Sequence, residues 1–311
     1  MNISSSIFLS FLLLILPVTA EREMIIIVGE PSESEYQIEF MRQATAWQKA
    51  AKAGKILHHT IGLDQPTETS DLEQLQQKLT NLNKDSDDLW IVMIGHGAFD
   101  GKTANYNLRG KDLDAEQFAT MLEPYKRKLI LLNLFSASAP FARELKAENR
   151  VIIAANRSGG QRNYSRFGEM FANTLTDPNA DLDRNGSASI LEQALVASTA
   201  TSEYYENLQR VLSENAVIND NGDDISTQLS NFVGLYAEAL PKAKTADGRF
   251  AQETYLLKPS KSKLNAEQRL QRAGIESEII ELKKIKNKLP EDEYYKKLEE
   301  IMLKMAKTYG K

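Results

Sequence analysis

Five short apolar segments alternate with amphipathic stretches over the first half of the chain, and this alternation is the strongest constraint on its fold. The apolar segments cover residues 24–28, 55–61, 89–94, 128–134 and 151–155, and they are rich in Ile, Leu and Val. Strands that are covered on both faces have this uninterrupted apolar character. Stretches with helical character lie between and after them, at 35–53, 71–82, 114–125, 140–148, 166–174 and 190–213. The alternation predicts right-handed crossovers and an α/β fold, a three-layer sandwich with a mainly parallel central sheet.

The C-terminal region, residues 264–311, has a different character. It contains two charge-rich helical segments, 265–289 and 291–309, which are separated by Pro290. Each segment carries an apolar stripe at helical spacing. The stripes are Ile275, Ile279, Leu282 and Ile285 in the first segment, and Leu298, Ile301, Met302 and Met305 in the second. We expect a C-terminal α-helical hairpin that packs on the α/β domain (21–258) or on another chain, after a polar linker at 259–263.

Residues 1–20 have the outline of a secretory signal peptide. The apolar run at 7–17 ends in small residues before Glu21, and it is shorter than the roughly 20 residues that a membrane-spanning helix needs. We therefore expect an exported protein, periplasmic or secreted, without a stable membrane span; the alternative is an uncleaved N-terminal anchor. A formal net charge of −5 argues against nucleic acid as a partner, because an acidic surface does not attract it. The oligomeric state stays open.

Polar side chains follow two of the predicted strands where each strand ends. His96 comes after segment 89–94 and is flanked by Gly95 and Gly97, and Ser136 comes shortly after segment 128–134. The carboxyl ends of parallel strands form the ligand-binding edge of an open α/β sheet. A nucleophile and a base that emerge from neighbouring strands have the arrangement that covalent catalysis needs.

This pattern resembles that of the caspase- and legumain-like cysteine peptidases of the C13 type. The resemblance implies a caspase-like sheet, with His96 at the catalytic histidine and Ser136 at the nucleophilic cysteine. It also implies that the backbone N–H of Gly97 is an oxyanion donor, and that Ser138 matches the serine two residues after the nucleophile. The chain contains no cysteine, so thiol chemistry is excluded.

The serine at position 136 leaves three hypotheses open. A hydroxyl is far less acidic than a thiol, whose pKa is about 8.5, and it needs an oriented base to attack. The first hypothesis is a pseudopeptidase that binds a peptide or protein in a degenerate cleft. The second is an active serine hydrolase in which Ser136 attacks and His96 takes its proton. Asp100 is the nearest acidic residue in the sequence that could orient the ring, and Glu or Asp residues elsewhere in the chain are the alternative. The third is a non-catalytic scaffold that acts through the C-terminal helices.

Residues 181–192 match the calcium-loop pattern D-x-D-x-N-G-x₅-E without a mismatch. Oxygen ligands at alternating loop positions, closed by a glutamate at the twelfth, wrap one hard cation. The predicted metal ligands are Asp181, Asp183, Asn185, Ser187, Ser189 and Glu192. We expect a structural Ca²⁺ ion here; the alternative is an Asp- and Asn-rich turn that caps the following helix without metal. A second oxygen-rich run, at 219–224, is interpreted as a surface turn.

Overall fold

The structure is a computed structural model that describes residues 21–258 and 266–309. The predicted signal peptide at 1–20 and the predicted linker at 259–263 lie outside the described residues. The strands are β1 (Glu23–Val28), β2 (Leu57–Ile61), β3 (Leu89–Gly95), β4 (Gly97–Phe99), β5 (Ala104–Tyr106), β6 (Leu113–Asp114), β7 (Leu129–Phe135), β8 (Arg150–Ala154), β9 (Val217–Asn219) and β10 (Thr227–Gln228). The helices are α1 (Ser34–Ala53), α2 (Asp71–Asn81), α3 (Ala115–Leu122), α4 (Ser138–Glu144), α5 (Phe167–Thr174), α6 (Ile190–Asn207), α7 (Arg249–Gln252), α8 (Ala266–Lys284) and α9 (Glu291–Thr308).

A seven-stranded sheet forms the centre of the protein, in the order β10-β9-β8-β7-β3-β1-β2. The five predicted strands pair in parallel, whereas β9 and β10 extend the sheet as antiparallel strands. The prediction of a mainly parallel sheet is therefore confirmed. The three-residue strand β9 and the two-residue strand β10 are too short for a periodic pattern to predict them.

Two separate apolar cores lie on the two faces of the sheet, which confirms the three-layer arrangement. Successive residues of a strand point to opposite faces, so Ile26 belongs to one core and Ile25 to the other. Helices α1, α5 and α6 cover the first face, with Trp47 and Phe171 among the fully buried side chains. Helices α2, α3 and α4 cover the second face, with Phe118 fully buried.

Several predicted boundaries are shifted; helix α4, for example, spans Ser138–Glu144 rather than 140–148. Two of the shifts occur where single residues adopt left-handed backbone conformations. Strand β2 begins at Leu57 rather than at residue 55, since Lys55 has a φ of 54° and forms part of the turn after α1. Helix α6 ends at Asn207 rather than at 213, and Gln209 has a φ of 53°. A left-handed residue ends a helix or a strand regardless of the apolar pattern beyond it.

The C-terminal helices α8 and α9 form the predicted antiparallel hairpin. The side-chain amide of Gln268, near the start of α8, donates to the carbonyl of Thr308 at the end of α9 (3.1 Å). Ile275, Leu282 and Ile301 form the buried core of the hairpin together with Tyr294. Among the described residues, every helix is too short or too polar to cross a membrane.

Candidate active site

His96 lies between β3 and β4, at the carboxyl edge of the sheet. Its imidazole is half-buried and packs edge-on against Tyr36 and Phe40 of α1, with ring centroids 4.8 Å and 5.2 Å away. Tyr164, on the segment before α5, lies 6.0 Å from the imidazole centroid. These three aromatic rings hold the histidine ring in place. The sequence does not indicate these rings as part of the site, because the Tyr36/Phe40 spacing indicates only a helix face and Tyr164 is remote in the chain.

The charge state of His96 follows from this environment. Burial lowers the pKa of the imidazole, and a hydrogen bond with the backbone carbonyl of Pro31 and the charge of Glu33 oppose the shift. The ring is therefore neutral at pH 7. Asp100 does not orient the ring, because its carboxylate accepts hydrogen bonds from the backbone N–H groups of Lys102 and Thr103, each at 2.7 Å. The acidic residue whose charge acts on the ring is Glu33, from elsewhere in the chain.

Ser136 follows β7 directly and is 1% exposed. Its hydroxyl accepts a hydrogen bond from the N–H of Gly97 at 3.2 Å and donates to the carbonyl of Gly97 at 3.3 Å. Within residues 21–258 and 266–309 no hydrogen bond joins Ser136 to His96. The sheet brings the ends of β3 and β7 together, as predicted, but the two side chains bind different partners.

Gly97 is placed where only glycine fits. A Cβ atom built on this residue would lie 2.5 Å from the ring of Phe135 and 2.7 Å from the carbonyl oxygen of Ser136. The close approach lets the N–H of Gly97 reach the Ser136 hydroxyl. The predicted oxyanion donor is therefore already occupied by the predicted nucleophile.

The loop after β8 packs over the same edge of the sheet. The Ser138 hydroxyl, which is fully buried, accepts a hydrogen bond from the N–H of Asn156 at 3.2 Å. A Cβ atom on Gly159 would lie 2.2 Å from the ring of Phe99, so the loop lies directly on β4. The guanidinium of Arg162 donates to the carbonyl of Phe99 at 3.0 Å. These contacts fix the loop against β4 and against the start of α4.

The loop at 181–192 brings three of its predicted metal ligands together. Carboxylate oxygens of Asp181, Asp183 and Glu192 lie within 4.8 Å of one another. Gly186 has a φ of 104°, a conformation that favours glycine, and it forms the tight turn. Its N–H donates to the Asp181 carboxylate at 2.8 Å. The N–H of Asn185 donates to the carboxylates of Asp181 and Asp183, each at 3.0 Å.

The other three predicted ligands have hydrogen-bond partners of their own. The Asn185 side chain accepts from the N–H of Ser187 at 3.2 Å, and the Ser187 hydroxyl donates to the carbonyl of Leu257. Ser189 and Glu192 form a capping box at the start of α6, the arrangement in which each side chain accepts from the backbone N–H of the other residue. The helix cap of the metal-free alternative is therefore present, and the acidic cluster lies directly beside it.

Burial disfavours the charged form of two carboxylates in this loop. Burial raises the pKa of Asp183, and the guanidinium of Arg272 opposes that shift. Burial also raises the pKa of Glu192, and the charge of Asp183 adds to the rise. Neighbouring carboxylates that are partly removed from water are stabilised by a cation.

The chain is similar to two solved caspase structures. For the Drosophila initiator caspase Dronc the identity is 13% over 67% of this chain and 82% of that chain, with a TM-score of 0.42. For caspase-1 from Spodoptera frugiperda the identity is 9% over 65% of this chain and 89% of that chain, with a TM-score of 0.42. No family model matches the chain, and no curated protein matches it.

Proposed function

We propose that this protein is an exported, caspase-like pseudopeptidase that binds a peptide or protein segment at the carboxyl edge of its sheet without cleaving it. The observation that carries the proposal is the burial of Ser136, which is 1% exposed and hydrogen-bonded to both the N–H and the carbonyl of Gly97.

Cleavage of the leader at 1–20 is part of the proposal. N-terminal sequencing of the protein isolated from its own cells tests it, with a start near Glu21 as the expected result.

Hydrolysis by Ser136 would need an accessible hydroxyl, a base in hydrogen-bond reach and a free oxyanion donor. The Ser136 hydroxyl is covered, and the His96 imidazole is bound to the Pro31 carbonyl. The N–H of Gly97 is bound to the Ser136 hydroxyl. The covered hydroxyl and the occupied Gly97 N–H support the absence of hydrolysis, and no hydrogen bond among the described residues joins His96 to Ser136.

The carboxyl edge of the sheet offers chemistry suited to binding. The half-buried rings of Tyr36, His96 and Tyr164 form an aromatic surface, and the exposed side chains of Arg157 and Arg162 lie on the loop after β8. Aromatic side chains supply contact area at low entropic cost, and guanidinium groups donate to backbone carbonyls and carboxylates. This combination supports a peptide or protein segment as the ligand.

A fluorophosphonate probe tests the absence of serine chemistry. We expect no labelling of the wild type at Ser136, and identical peptide and ester turnover in wild type and Ser136→Ala. Labelling of Ser136, or turnover that disappears in Ser136→Ala, would restore the serine hydrolase hypothesis.

A displayed library of random peptides tests binding. We expect peptides enriched by the wild type to be lost with Tyr36→Ser, because Tyr36 contacts His96 at the proposed surface. Ile38→Ser is the matched control, since Ile38 lies two residues further along α1 and is 65% exposed to solvent. No enrichment, or equal enrichment by wild type and Tyr36→Ser, contradicts the proposed binding site.

We also propose a structural Ca²⁺ ion in the 181–192 loop, held by Asp181, Asp183 and Glu192. The convergence of their carboxylate oxygens supports it. A chelator should lower the Tm of the wild type, because an ion that binds only the folded state stabilises it, and it should leave the Tm of Glu192→Ala unchanged. Glu73→Ala is the control, since Glu73 belongs to the exposed capping box of α2, outside the acidic cluster of the 181–192 loop. An equal change in Tm for wild type and Glu192→Ala would contradict the proposed Ca²⁺ site.

A second candidate function is partner binding through the hairpin. On α9, Tyr295 is 51% exposed, Met302 50% and Leu303 57%. Exposed apolar side chains of this kind favour a protein contact. If the hairpin carries the interaction, Met302→Lys should abolish binding of the partner protein and Tyr36→Ser should leave it unchanged. Loss of binding in Tyr36→Ser but not in Met302→Lys would assign the interaction to the sheet edge.

A further inference from the structure

A cation from the C-terminal hairpin already lies in the acidic cluster of the 181–192 loop. The guanidinium of Arg272, on α8, forms an ion pair with the Asp183 carboxylate at 2.9 Å. The side chain of Arg272 is 11% exposed and that of Asp183 is 8% exposed. Loss of one partner from an ion pair so well shielded from water strongly destabilises the fold, because the other charge is left buried and unpaired.

The same arginine is part of the polar contact that holds α8 on the α/β domain. Its Nε donates to the Glu276 carboxylate at 2.8 Å, one turn further along α8. Glu276 in turn accepts a hydrogen bond from the hydroxyl of Tyr236. The arrangement links the loop carboxylate to the hairpin and back to the α/β domain. Asp183, a predicted metal ligand, therefore also anchors the hairpin.

A divalent cation and the guanidinium of Arg272 would compete for the carboxylate of Asp183. The oxygen that pairs with Arg272 is Oδ2, while Oδ1 accepts from the N–H of Asn185. A Ca²⁺ ion bound between Asp181, Asp183 and Glu192 would bring two positive charges close to the buried guanidinium. Like charges within a few ångströms repel strongly where water is excluded, and the exposed Arg184 adds a further positive charge on the loop.

We propose that hairpin docking and Ca²⁺ binding oppose each other through Arg272, so that Ca²⁺ loosens the hairpin from the α/β domain and the docked hairpin weakens Ca²⁺ binding. This inference rests on the proposed calcium site and concerns its regulation. Linkage is reciprocal, so each ligand changes the affinity of the other by the same factor. The hairpin is then a calcium-responsive element that exposes or covers its contact surface on the loop.

Isothermal titration of the full-length chain with CaCl₂ tests the coupling. We expect the Kd for Ca²⁺ to fall about tenfold in Arg272→Gln, within the usual range of allosteric coupling. Lys304→Gln is the matched control, because it removes the same charge from the same hairpin at an exposed ion pair with Glu278. Its Kd should equal that of the wild type. A Kd in Arg272→Gln equal to or weaker than that of the wild type overturns the coupling.

The movement of the hairpin is measured separately. Since the chain contains no cysteine, Glu203→Cys and Glu299→Cys place two spin labels at exposed positions on α6 and α9. Added Ca²⁺ should broaden the distance distribution between the labels in the wild-type background and leave it unchanged in Glu192→Ala. An unchanged distribution in the presence of bound Ca²⁺ overturns the coupling. If neither the wild type nor Arg272→Gln binds Ca²⁺, the calcium site itself is wrong, which separates that failure from a failure of the coupling.

Discussion

The hydroxyl of Ser136 makes two hydrogen bonds to the backbone of Gly97. It accepts one from the N–H of Gly97 and donates the other to the carbonyl of Gly97. Such a pair needs a very short distance between the turn after β3 and the end of β7. That distance exists because Gly97 has no side chain and lies against the ring of Phe135. Gly97, the predicted oxyanion donor, thus holds the turn after β3 against the end of β7.

Substitution of Gly97 should therefore disrupt the contact between the turn after β3 and the end of β7. Gly97→Ala would place a Cβ atom 2.5 Å from Phe135, and we expect a loss of about 2 kcal/mol in the free energy of unfolding, as for other overpacked positions. Gly274→Ala is the control, because nothing lies within 4 Å of a Cβ atom at that helical position. It should gain about 0.5–1 kcal/mol from helix propensity. Urea unfolding measures both; equal stability of Gly97→Ala and wild type would contradict the close contact.

The titration of His96 is a second property of a single residue. Burial lowers its pKa, so the imidazole should titrate below the ordinary value of about 6.5. The unfolded chain then binds the proton more readily than the folded chain, so stability is lost as pH falls below about 6.5 and through the folded pKa. Histidine NMR resonances measure the titration, and loss of one set in His96→Gln assigns it. A His96 pKa at or above 6.5 would show an open, solvated ring.

The positions of His96 and Ser136 could be predicted from the sequence, but the interactions of their side chains could not. The positions follow from the strand pattern, because adjacent parallel strands end at one edge. The orientation of each side chain depends on residues that come from elsewhere. Tyr36 and Tyr164 hold the imidazole, and no local pattern connects those residues to position 96.

At the scale of the elements, the oxygen-rich run at 219–224 joins two segments of the chain. Asp220 accepts hydrogen bonds from the N–H groups of Gly248 and Ala251, at 2.8 Å and 2.9 Å, and so caps α7. Asp247 accepts from the N–H of Asp220 at 3.0 Å and from the N–H of Thr227 at 3.1 Å. The interpretation of this run as a surface turn is wrong, since Asp220 is 3% exposed. The partner at 247 is too far along the chain for sequence spacing to indicate it.

This pair of aspartates should give the protein a pH dependence. Burial raises the pKa of Asp247 to about 6, above the ordinary value of about 3.9. The folded state then holds the proton where the unfolded chain has released it. The contribution of Asp247 to stability is therefore highest below about pH 4, and up to about 3 kcal/mol is lost as pH rises through about 6.

Urea unfolding of wild type and Asp247→Asn between pH 4 and pH 7 measures this contribution as the difference between the two slopes. The wild type should lose stability relative to Asp247→Asn as pH rises through this window. Asp224→Asn is the control, because Asp224 is exposed and its pKa is lowered by Lys146. Parallel curves for wild type and Asp247→Asn would contradict the shifted pKa.

At the scale of the whole molecule, the α/β domain and the hairpin differ in how they are stabilised. The sheet has an extensive apolar core on each face. The buried core of the hairpin consists of Ile275, Leu282, Tyr294 and Ile301, and Arg272 and Glu276 supply polar contacts to the α/β domain. The sequence predicted both units, since each has its own apolar period. It did not predict the contact between them, because Arg272 and Asp183 are 89 positions apart and neither belongs to an apolar pattern.

The difference in core size predicts that the hairpin opens before the sheet. A small core gives little stabilisation against the entropy of ordering two helices, so amide protons of α8 and α9 should exchange with solvent faster than those of β3 and β7. Ile301→Ala, at a position 9% exposed, should cost about 2–3 kcal/mol of local stability. That loss corresponds to roughly a hundredfold faster exchange in both helices. Exchange in β3 and β7 should stay unchanged, because no part of their cores is altered. Native-state hydrogen exchange measures all four elements together, and an equal acceleration in hairpin and sheet would show that the two form one cooperative unit.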